Sequence, residues 1–144
     1  MVLRVPKMYG SEDGTTVVET DAEYERIVLG LRVGAEHINA AGTLDEGLVA
    51  TLADMHTTFL LMSHSLLHQP DHNPMSVTVC LSVHAVAPIV PGTEIHIVCK
   101  VAANVDSSGP QASVVFQSAH NPQIIFATAT HSKQIRVLEF GGKL

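Results

Sequence analysis

A chain of 144 residues, 46% of them hydrophobic, has the size and composition of one globular domain, so we predict a single domain over residues 1-144. Its 14 acidic and 8 basic residues give a formal net charge of −6, and the bases are scattered rather than clustered. Because binding to a phosphate backbone requires a basic surface, we expect no nucleic-acid partner.

The first quarter of the chain predicts short strands separated by turns. Residues 2–8 and 15–19 are strand candidates, with a polar turn over residues 10–14 between them. Residues 25–35 form an apolar, β-branched run that predicts a strand buried mainly on one face. Gly30 inside this run indicates a bulge or the close approach of another backbone.

Between residues 47 and 67 the hydrophobic period becomes that of a helix. An apolar stripe at alternating spacings of four and three is widened by neighbouring apolar residues, which predicts a helix covered on most sides. The stripe consists of Leu48, Leu52, Met55, Phe59, Met62 and Leu66. We expect Thr43 or Asp45 to cap the helix start, and Pro70 to end the helix or close the following loop.

Four strand patterns follow, over residues 75–87, 93–106, 112–120 and 124–137. The segments between them, at 91–92, 107–110 and 121–123, are each short enough for an antiparallel hairpin. Four strands after one helix, with two or three before it, predict an α+β fold. In this fold an antiparallel sheet of five to six strands is wrapped around one long central helix.

The two cysteines, Cys80 and Cys99, lie in apolar alternating runs, which predicts buried thiols in a reducing compartment rather than a disulfide. Polar residues interrupt the long helix, and no basic-then-apolar leader opens the sequence, so we expect no membrane span. The chain is therefore predicted to be soluble and intracellular, in the cytoplasm or an organelle matrix.

The segment from residue 39 to 54 carries a motif. It resembles the pattern Asn-x-x-Gly-x-Leu-His-Gly-Gly, followed seven residues later by Asp, of hotdog-fold acyl-CoA thioesterases of the phenylacetate-degradation and small mammalian type. The chain keeps Asn39, Gly42, Leu44, Gly47 and Asp54 in register. It departs at Asp45 and Glu46, where the family has His-Gly. The likeness extends from about residue 26 to 136 and includes Ser76-Val77 and His131-Ser132-Lys133, where relatives carry a similar His-Thr-Lys.

The resemblance implies a homodimer, or a tetramer of such dimers, with each active site between one subunit's helix start and the other subunit's helical Asp. It implies that Asp54 acts as general base on water or as nucleophile, while backbone N–H groups of Glu46 and Gly47 polarise the thioester carbonyl. A helix start suits that role because its N–H groups are unpaired and its potential is positive.

Asp54 stands in a mostly apolar segment, where a lone carboxylate is costly unless it is paired or faces a wet cleft. The alternative is a solvent-facing Asp. Glu46 leaves three interpretations open, because its side chain either points outward, serves as a second catalytic carboxylate, or marks a loss of hydrolysis. A carboxylate near the developing oxyanion would repel it by about one to a few kcal/mol.

Further site residues are implied by the likeness. Asn39 and Ser76 have equivalents in the family's site, although residues 39–42 also read as an Asx turn. Thr58, one turn after Asp54, is a substrate-binding candidate. Bases are candidates for the phosphates of CoA, with edge-strand solubility as the alternative. These bases are Lys100, Lys133, Arg136 and Lys143, and His131 joins Lys133 and Arg136 as a substrate-binding residue.

Nine histidines raise a metal hypothesis, because His64, His68 and His72 are spaced at i, i+4 and i+8. Pro70 interrupts the helix before the third, and no Cys or Glu lies close enough in sequence to complete a tetrahedral set. We therefore predict no metal and no cofactor.

Two functions of different classes fit the sequence. The first is an enzyme that hydrolyses an acyl-CoA thioester. The second is a non-catalytic acyl-CoA binder or scaffold that lost hydrolysis at Asp45-Glu46. A third related class is the hotdog dehydratases, but the sequence shows no His-centred dehydratase motif. His56 follows Asp54 by two residues, so its side chain should face another direction.

Overall fold

The protein is described from a computed structural model, over residues 14–71, 75–102 and 109–135. The predicted strand at residues 2–8 lies outside these ranges. The elements are β1 (Thr16–Thr20), β2 (Arg26–Arg32), a 3-10 turn (Ala35–His37), α1 (Glu46–His68), β3 (Ser76–Ala85), β4 (Glu94–Val101), β5 (Gln111–Ser118) and β6 (Ile125–Ile135). The predicted order of strands around one long helix is confirmed. The predicted strand ends at residues 106 and 137 lie outside the described residues, and the other described strand ends are shifted by at most three residues.

All six strands form one antiparallel sheet in the order β1-β2-β4-β5-β6-β3. The predicted hairpin at residues 91–92 is wrong, because β3 lies at the sheet edge and β4 lies beside β2. The turn instead anchors β4 to the end of β2: the N–H of Gly92 donates to Val33 O at 2.7 Å, and the N–H of Val33 donates to Thr93 O at 2.9 Å. The hairpin between β5 and β6 is confirmed.

At Gly30 on β2 there is little room for a side chain. A Cβ built on Gly30 would lie 3.1 Å from a methyl group of Val18 on β1. The register of β1 against β2 shifts between Val17 and Glu19, so the bulge lies on the strand opposite the glycine. The close contact at Gly30 is therefore with a side chain, not with another backbone as predicted, and the bulge lies on β1 rather than on β2.

The helix α1 starts at Glu46 behind Asp45, which is the N-cap and whose carboxylate accepts the N–H of Leu48 at 3.0 Å. The helix packs against β3, β4, β5 and β6, so the sheet wraps around it in the predicted hotdog arrangement. Its buried residues are Val49, Leu52, Ala53, His56, Thr57, Leu60 and Leu61.

The predicted stripe is only partly right. Leu52 is buried, but Phe59 and Leu66 are 41% and 49% exposed in the single chain. The sheet packs on the face that contains Ala53 and Thr57, where small side chains allow a close approach. Periodicity could not tell which of two apolar faces meets the sheet. The predicted burial of Phe59 and Leu66 is therefore wrong for one chain alone, while the prediction of a helix wrapped by the sheet is confirmed.

The two cysteines differ. Cys99 is buried on β4, and burial raises the pKa of its thiol to about 12. Cys80 is exposed, so its predicted burial is wrong, because β3 is an edge strand whose register shifts between Thr78 and Cys80. Within the described parts of the chain, no helix is long and apolar enough to cross a membrane.

Candidate active site

Asp54 lies in the middle of α1 and points toward the paired ends of β3 and β6. Its Oδ1 atom is 3.3 Å from Thr78 Oγ1 on β3 and 3.3 Å from His131 Nε2 on β6. Half of its side-chain surface is open to solvent. The carboxylate is therefore neither an unpaired buried charge nor a fully exposed one, because Thr78 and His131 contact it on one side and solvent reaches it on the other.

His131 is fully buried beneath this carboxylate. Its Nδ1 atom is 2.6 Å from Thr57 Oγ1, and its Nε2 atom is 2.9 Å from Thr78 Oγ1. Burial lowers the pKa of His131, the positive charge of Lys133 lowers it further, and Asp54 opposes both effects. The ring is therefore neutral at neutral pH.

Lys133 is also buried, which is rare for a lysine. Its Nζ atom donates to Thr58 Oγ1 at 3.0 Å and lies 3.4 Å from Thr78 Oγ1. The structure thus gathers one carboxylate, one imidazole, one ammonium and three hydroxyls. We call this set the Asp54 cluster: Asp54, Thr57, Thr58, Thr78, His131 and Lys133.

The helix start forms a second group of polar atoms. Among the described hydrogen bonds, none uses the N–H of Glu46 or of Gly47. Gly47 leaves room for the capping carboxylate, because a Cβ there would lie 2.9 Å from Asp45 Oδ1. The side chain of Glu46 is exposed. Exposure does not decide whether this side chain points outward, serves as a second catalytic carboxylate or marks a loss of hydrolysis.

Asn39 shapes the loop before this helix. Its Oδ1 atom accepts the N–H groups of Ala41 at 2.9 Å and Thr43 at 3.3 Å, which is the Asx turn that the sequence allowed. These bonds fix the side-chain amide and use only its oxygen. The two N–H donors of the amide are not used by the turn.

The Asp54 cluster and the helix start lie well apart within a single chain. Eight residues separate Glu46 from Asp54 along the helix, which corresponds to about 12 Å at 1.5 Å per residue. One small group bound within a single chain would not reach both the carboxylate and the N–H groups of the helix start.

A cavity of about 220 Å³ opens beside the helix start. Glu46 lies at it, while Val49, Val83, Phe126 and Ala127 supply apolar walls. Ligand sites for drug-sized molecules are usually larger than this, at about 300 to 1,000 Å³. The cavity therefore suits a small or medium apolar group.

Of the predicted site residues, the structure brings together Asp54, Thr58, His131 and Lys133, and places Asn39, Glu46 and Gly47 at the helix start. Ser76 opens β3, two residues before the hydroxyl of Thr78 that contacts Asp54. Arg136 and Lys143 lie outside the described residues, and Lys100 is exposed on β4.

Sequence reasoning missed Thr57 and Thr78. Strand alternation offered a signal for Thr78, since residues two apart lie on the same face as Ser76. Helical spacing offered one for Thr57, which is three residues after Asp54.

The predicted histidine series is described only in part. The rings of His64 and His68 lie with centroids 4.4 Å apart, and His72 lies outside the described residues. Burial lowers the pKa of His64, with a further contribution from His68. His56 is buried, whereas half of the side-chain surface of Asp54 is open to solvent.

No family model and no curated protein matches the chain. Solved structures do. The chain is similar to thioesterase superfamily member 2 of Mus musculus, with 26% identity, a TM-score of 0.70 and coverage of 83% of this chain and 80% of that one. It is also similar in fold to the PaaI protein of the E. coli phenylacetic acid degradation operon, with 14% identity, a TM-score of 0.68 and coverage of 87% and 81%.

A third similar structure is a Streptococcus mutans protein solved with acetyl CoA bound. Its identity is 14%, its TM-score is 0.72, and the match covers 92% of this chain and 96% of that one. At this level of identity the likeness is one of fold. One protein named as a thioesterase superfamily member, and one protein with bound acetyl CoA, thus have the fold in which this chain holds the Asp54 cluster.

Proposed function

We propose that this chain, which has the hotdog fold of the thioesterase superfamily, acts as a single domain over residues 1–144 and hydrolyses an acyl-CoA thioester to a free acid and CoA. The observation that carries the proposal is the placement of Asp54. Its carboxylate is half open to solvent, contacts two groups of the Asp54 cluster, and lies where water can reach it. Acyl-CoA is made and used inside cells, so we place the protein in the cytoplasm or an organelle matrix.

In the proposed reaction Asp54 accepts a proton from water, and the water oxygen attacks the thioester carbon. The carbonyl oxygen becomes an oxyanion that the N–H groups of Glu46 and Gly47 stabilise, aided by the helix potential. The C–S bond then breaks, and the proton leaves with the CoA sulfur. Direct attack by the Asp54 carboxylate, followed by hydrolysis of the anhydride, gives the same products.

One surface supports a homodimer in which each site combines Asp54 of one copy with the helix start of the other. Strand β3 is a sheet edge ten residues long, and it exposes Val77 and Val79. Long apolar edges of this kind pair with another strand. Phe59 and Leu66 add an exposed apolar helix face, which we propose as the contact between dimers if the protein is a tetramer.

Glu46 supports one alternative, a non-catalytic acyl-CoA binder or scaffold. Glu46 lines the cavity and itself carries one of the N–H groups that would bind the oxyanion, so its charge belongs to the same residue. This alternative predicts CoA binding by calorimetry without hydrolysis, and a gain of hydrolysis in Glu46→Gly, which removes the charge and keeps the N–H.

The test of the function is release of free CoA thiol from short, medium, long and aromatic acyl-CoAs. Turnover of at least one of these substrates by the wild-type protein supports the enzyme and rejects the binder. Binding without turnover across all four classes contradicts the proposed hydrolysis.

The cavity at the helix start leads to a prediction about acyl length. Ala127 is buried in its wall, and Ala127→Leu should fill part of the space. Each methylene excluded from an apolar pocket costs about 0.8 kcal/mol, which corresponds to roughly a fourfold loss of binding affinity. We therefore expect kcat/KM for medium-chain acyl-CoA to fall about tenfold or more, while acetyl-CoA is hydrolysed as before.

The matched control is Cys99→Leu, since Cys99 is likewise buried, on β4, but does not line the cavity and does not belong to the Asp54 cluster. Equal losses for acetyl and medium-chain substrates in Ala127→Leu would show that the cavity does not hold the acyl group.

A further inference from the structure

We propose that Thr57 is a positioning residue that fixes the tautomer of His131 and thereby keeps Asp54 a good proton acceptor. The inference rests on the proposed function, but its first readout does not require activity. Thr57 is fully buried on the sheet-facing side of α1 and reaches the substrate only through His131 and Asp54.

The hydroxyl of Thr57 donates its hydrogen bond to the helix backbone. Thr57 Oγ1 lies 2.6 Å from the carbonyl oxygen of Ala53 and 3.2 Å from that of Asp54. Carbonyl oxygens only accept, and a hydroxyl has one hydrogen, so this hydrogen points into the helix. Toward His131 the oxygen of Thr57 can therefore only accept.

His131 must then carry a hydrogen on Nδ1, because that atom lies 2.6 Å from Thr57 Oγ1. The neutral ring has a single N–H, so its Nε2 atom presents a lone pair. Nε2 faces Thr78 Oγ1 at 2.9 Å and Asp54 Oδ1 at 3.3 Å. Thr57, which contacts the Nδ1 side of the ring, thus determines that Asp54 faces a lone pair on Nε2 rather than an N–H group.

The other groups around the ring preserve this state. Lys133 on β6 can only donate, and it lies 3.4 Å from Thr78 Oγ1, which leaves the single hydrogen of Thr78 for Nε2 or Asp54. Burial and the charge of Lys133 lower the pKa of His131, while Asp54 on α1 raises it. The ring therefore stays neutral with its lone pair toward the carboxylate.

The opposite tautomer would change the chemistry of Asp54. An N–H on Nε2 would donate to the carboxylate, and a hydrogen bond to the charged form lowers a carboxyl pKa. A carboxylate of lower pKa takes a proton from water less readily. By holding the hydrogen on Nδ1, Thr57 prevents this loss of basicity.

The test compares Thr57→Val with the conservative Thr57→Ser and with Thr51→Val as a matched control. Thr51 makes the same type of bond to the helix, from its hydroxyl to Gly47 O at 2.8 Å, but it is exposed. The first readout is the nitrogen NMR spectrum of the ¹⁵N-labelled His131 ring, assigned by its loss in His131→Gln. The second is the pH profile of kcat/KM.

We expect the Nδ1–H tautomer in the wild type, in Thr57→Ser and in Thr51→Val, and mainly Nε2–H in Thr57→Val. In Thr57→Val the acid limb of kcat/KM should move to lower pH, and the plateau should fall about tenfold. Recovery of the wild-type profile in Thr57→Ser supports the inference.

An Nε2–H ring in the wild type overturns the inference, and so does an unchanged ring in Thr57→Val. If Thr57→Val does not fold, the wild-type and Thr57→Ser spectra still decide the tautomer. The spectra are read without substrate, so an inactive protein with the expected tautomers would contradict the proposed hydrolysis and leave the effect of Thr57 on the ring supported.

Discussion

The Asp54→Asn variant should lose about 10³-fold in kcat/KM for any acyl-CoA that the wild type hydrolyses, because general-base groups typically contribute 10² to 10⁴. Asparagine has nearly the shape of aspartate but accepts no proton at neutral pH and is a poor nucleophile. The fold should survive, since the side chain is half exposed and an amide can still bond to Thr78. The free energy of unfolding should change by less than about 1 kcal/mol.

The control is Asp71→Asn, which removes an exposed carboxylate in the turn after α1. It should keep wild-type kcat/KM. Undiminished turnover in a folded Asp54→Asn protein would contradict the assigned role, and equal losses in both variants would point to net charge rather than to Asp54.

The second large effect is expected at the helix start. In Glu46→Pro the first helical residue loses its N–H, and proline is well tolerated at this position. Asp45 already has extended backbone angles, φ −63° and ψ 128°, as a residue before proline requires. Loss of one oxyanion donor should lower kcat about 10²- to 10³-fold, with the helix intact by circular dichroism.

Glu46→Ala separates the two parts of Glu46, because it removes the carboxylate and keeps the N–H. It should be at least as active as the wild type, since a negative charge near the oxyanion is removed. Activity of Glu46→Pro equal to that of Glu46→Ala would rule out this N–H as a donor.

Much of the fold could be predicted from local chemistry. The cap at Asp45, the change of hydrophobic period at α1 and the alternation in β4 to β6 depend on neighbouring residues only. Which strand pairs with an edge strand does not depend on neighbouring residues alone. The hairpin predicted at residues 91–92 was wrong for this reason. Its Gly92 makes a turn against Val33, a residue nearly sixty positions earlier.

The site shows the same division. Asp54 could be found because a carboxylate in an apolar helix needs an explanation, and His131 and Lys133 followed from the resemblance. The contact of Thr57 with His131 joins residues 74 positions apart, so no spacing rule reveals it. The burial of Lys133 depends likewise on how β6 meets α1 and β3. The apolar stripe of the helix was visible, but not which face meets the sheet.

The most direct test of a site shared between two copies is complementation of two inactive variants. Asp54→Asn and Glu46→Pro are unfolded together, refolded as a mixture and assayed. Half of randomly formed dimers are heterodimers, and each has one intact site, so about a quarter of wild-type activity should return. Activity no higher than that of the two variants assayed separately, in a mixture whose heterodimers are confirmed by mass spectrometry, would contradict the shared site.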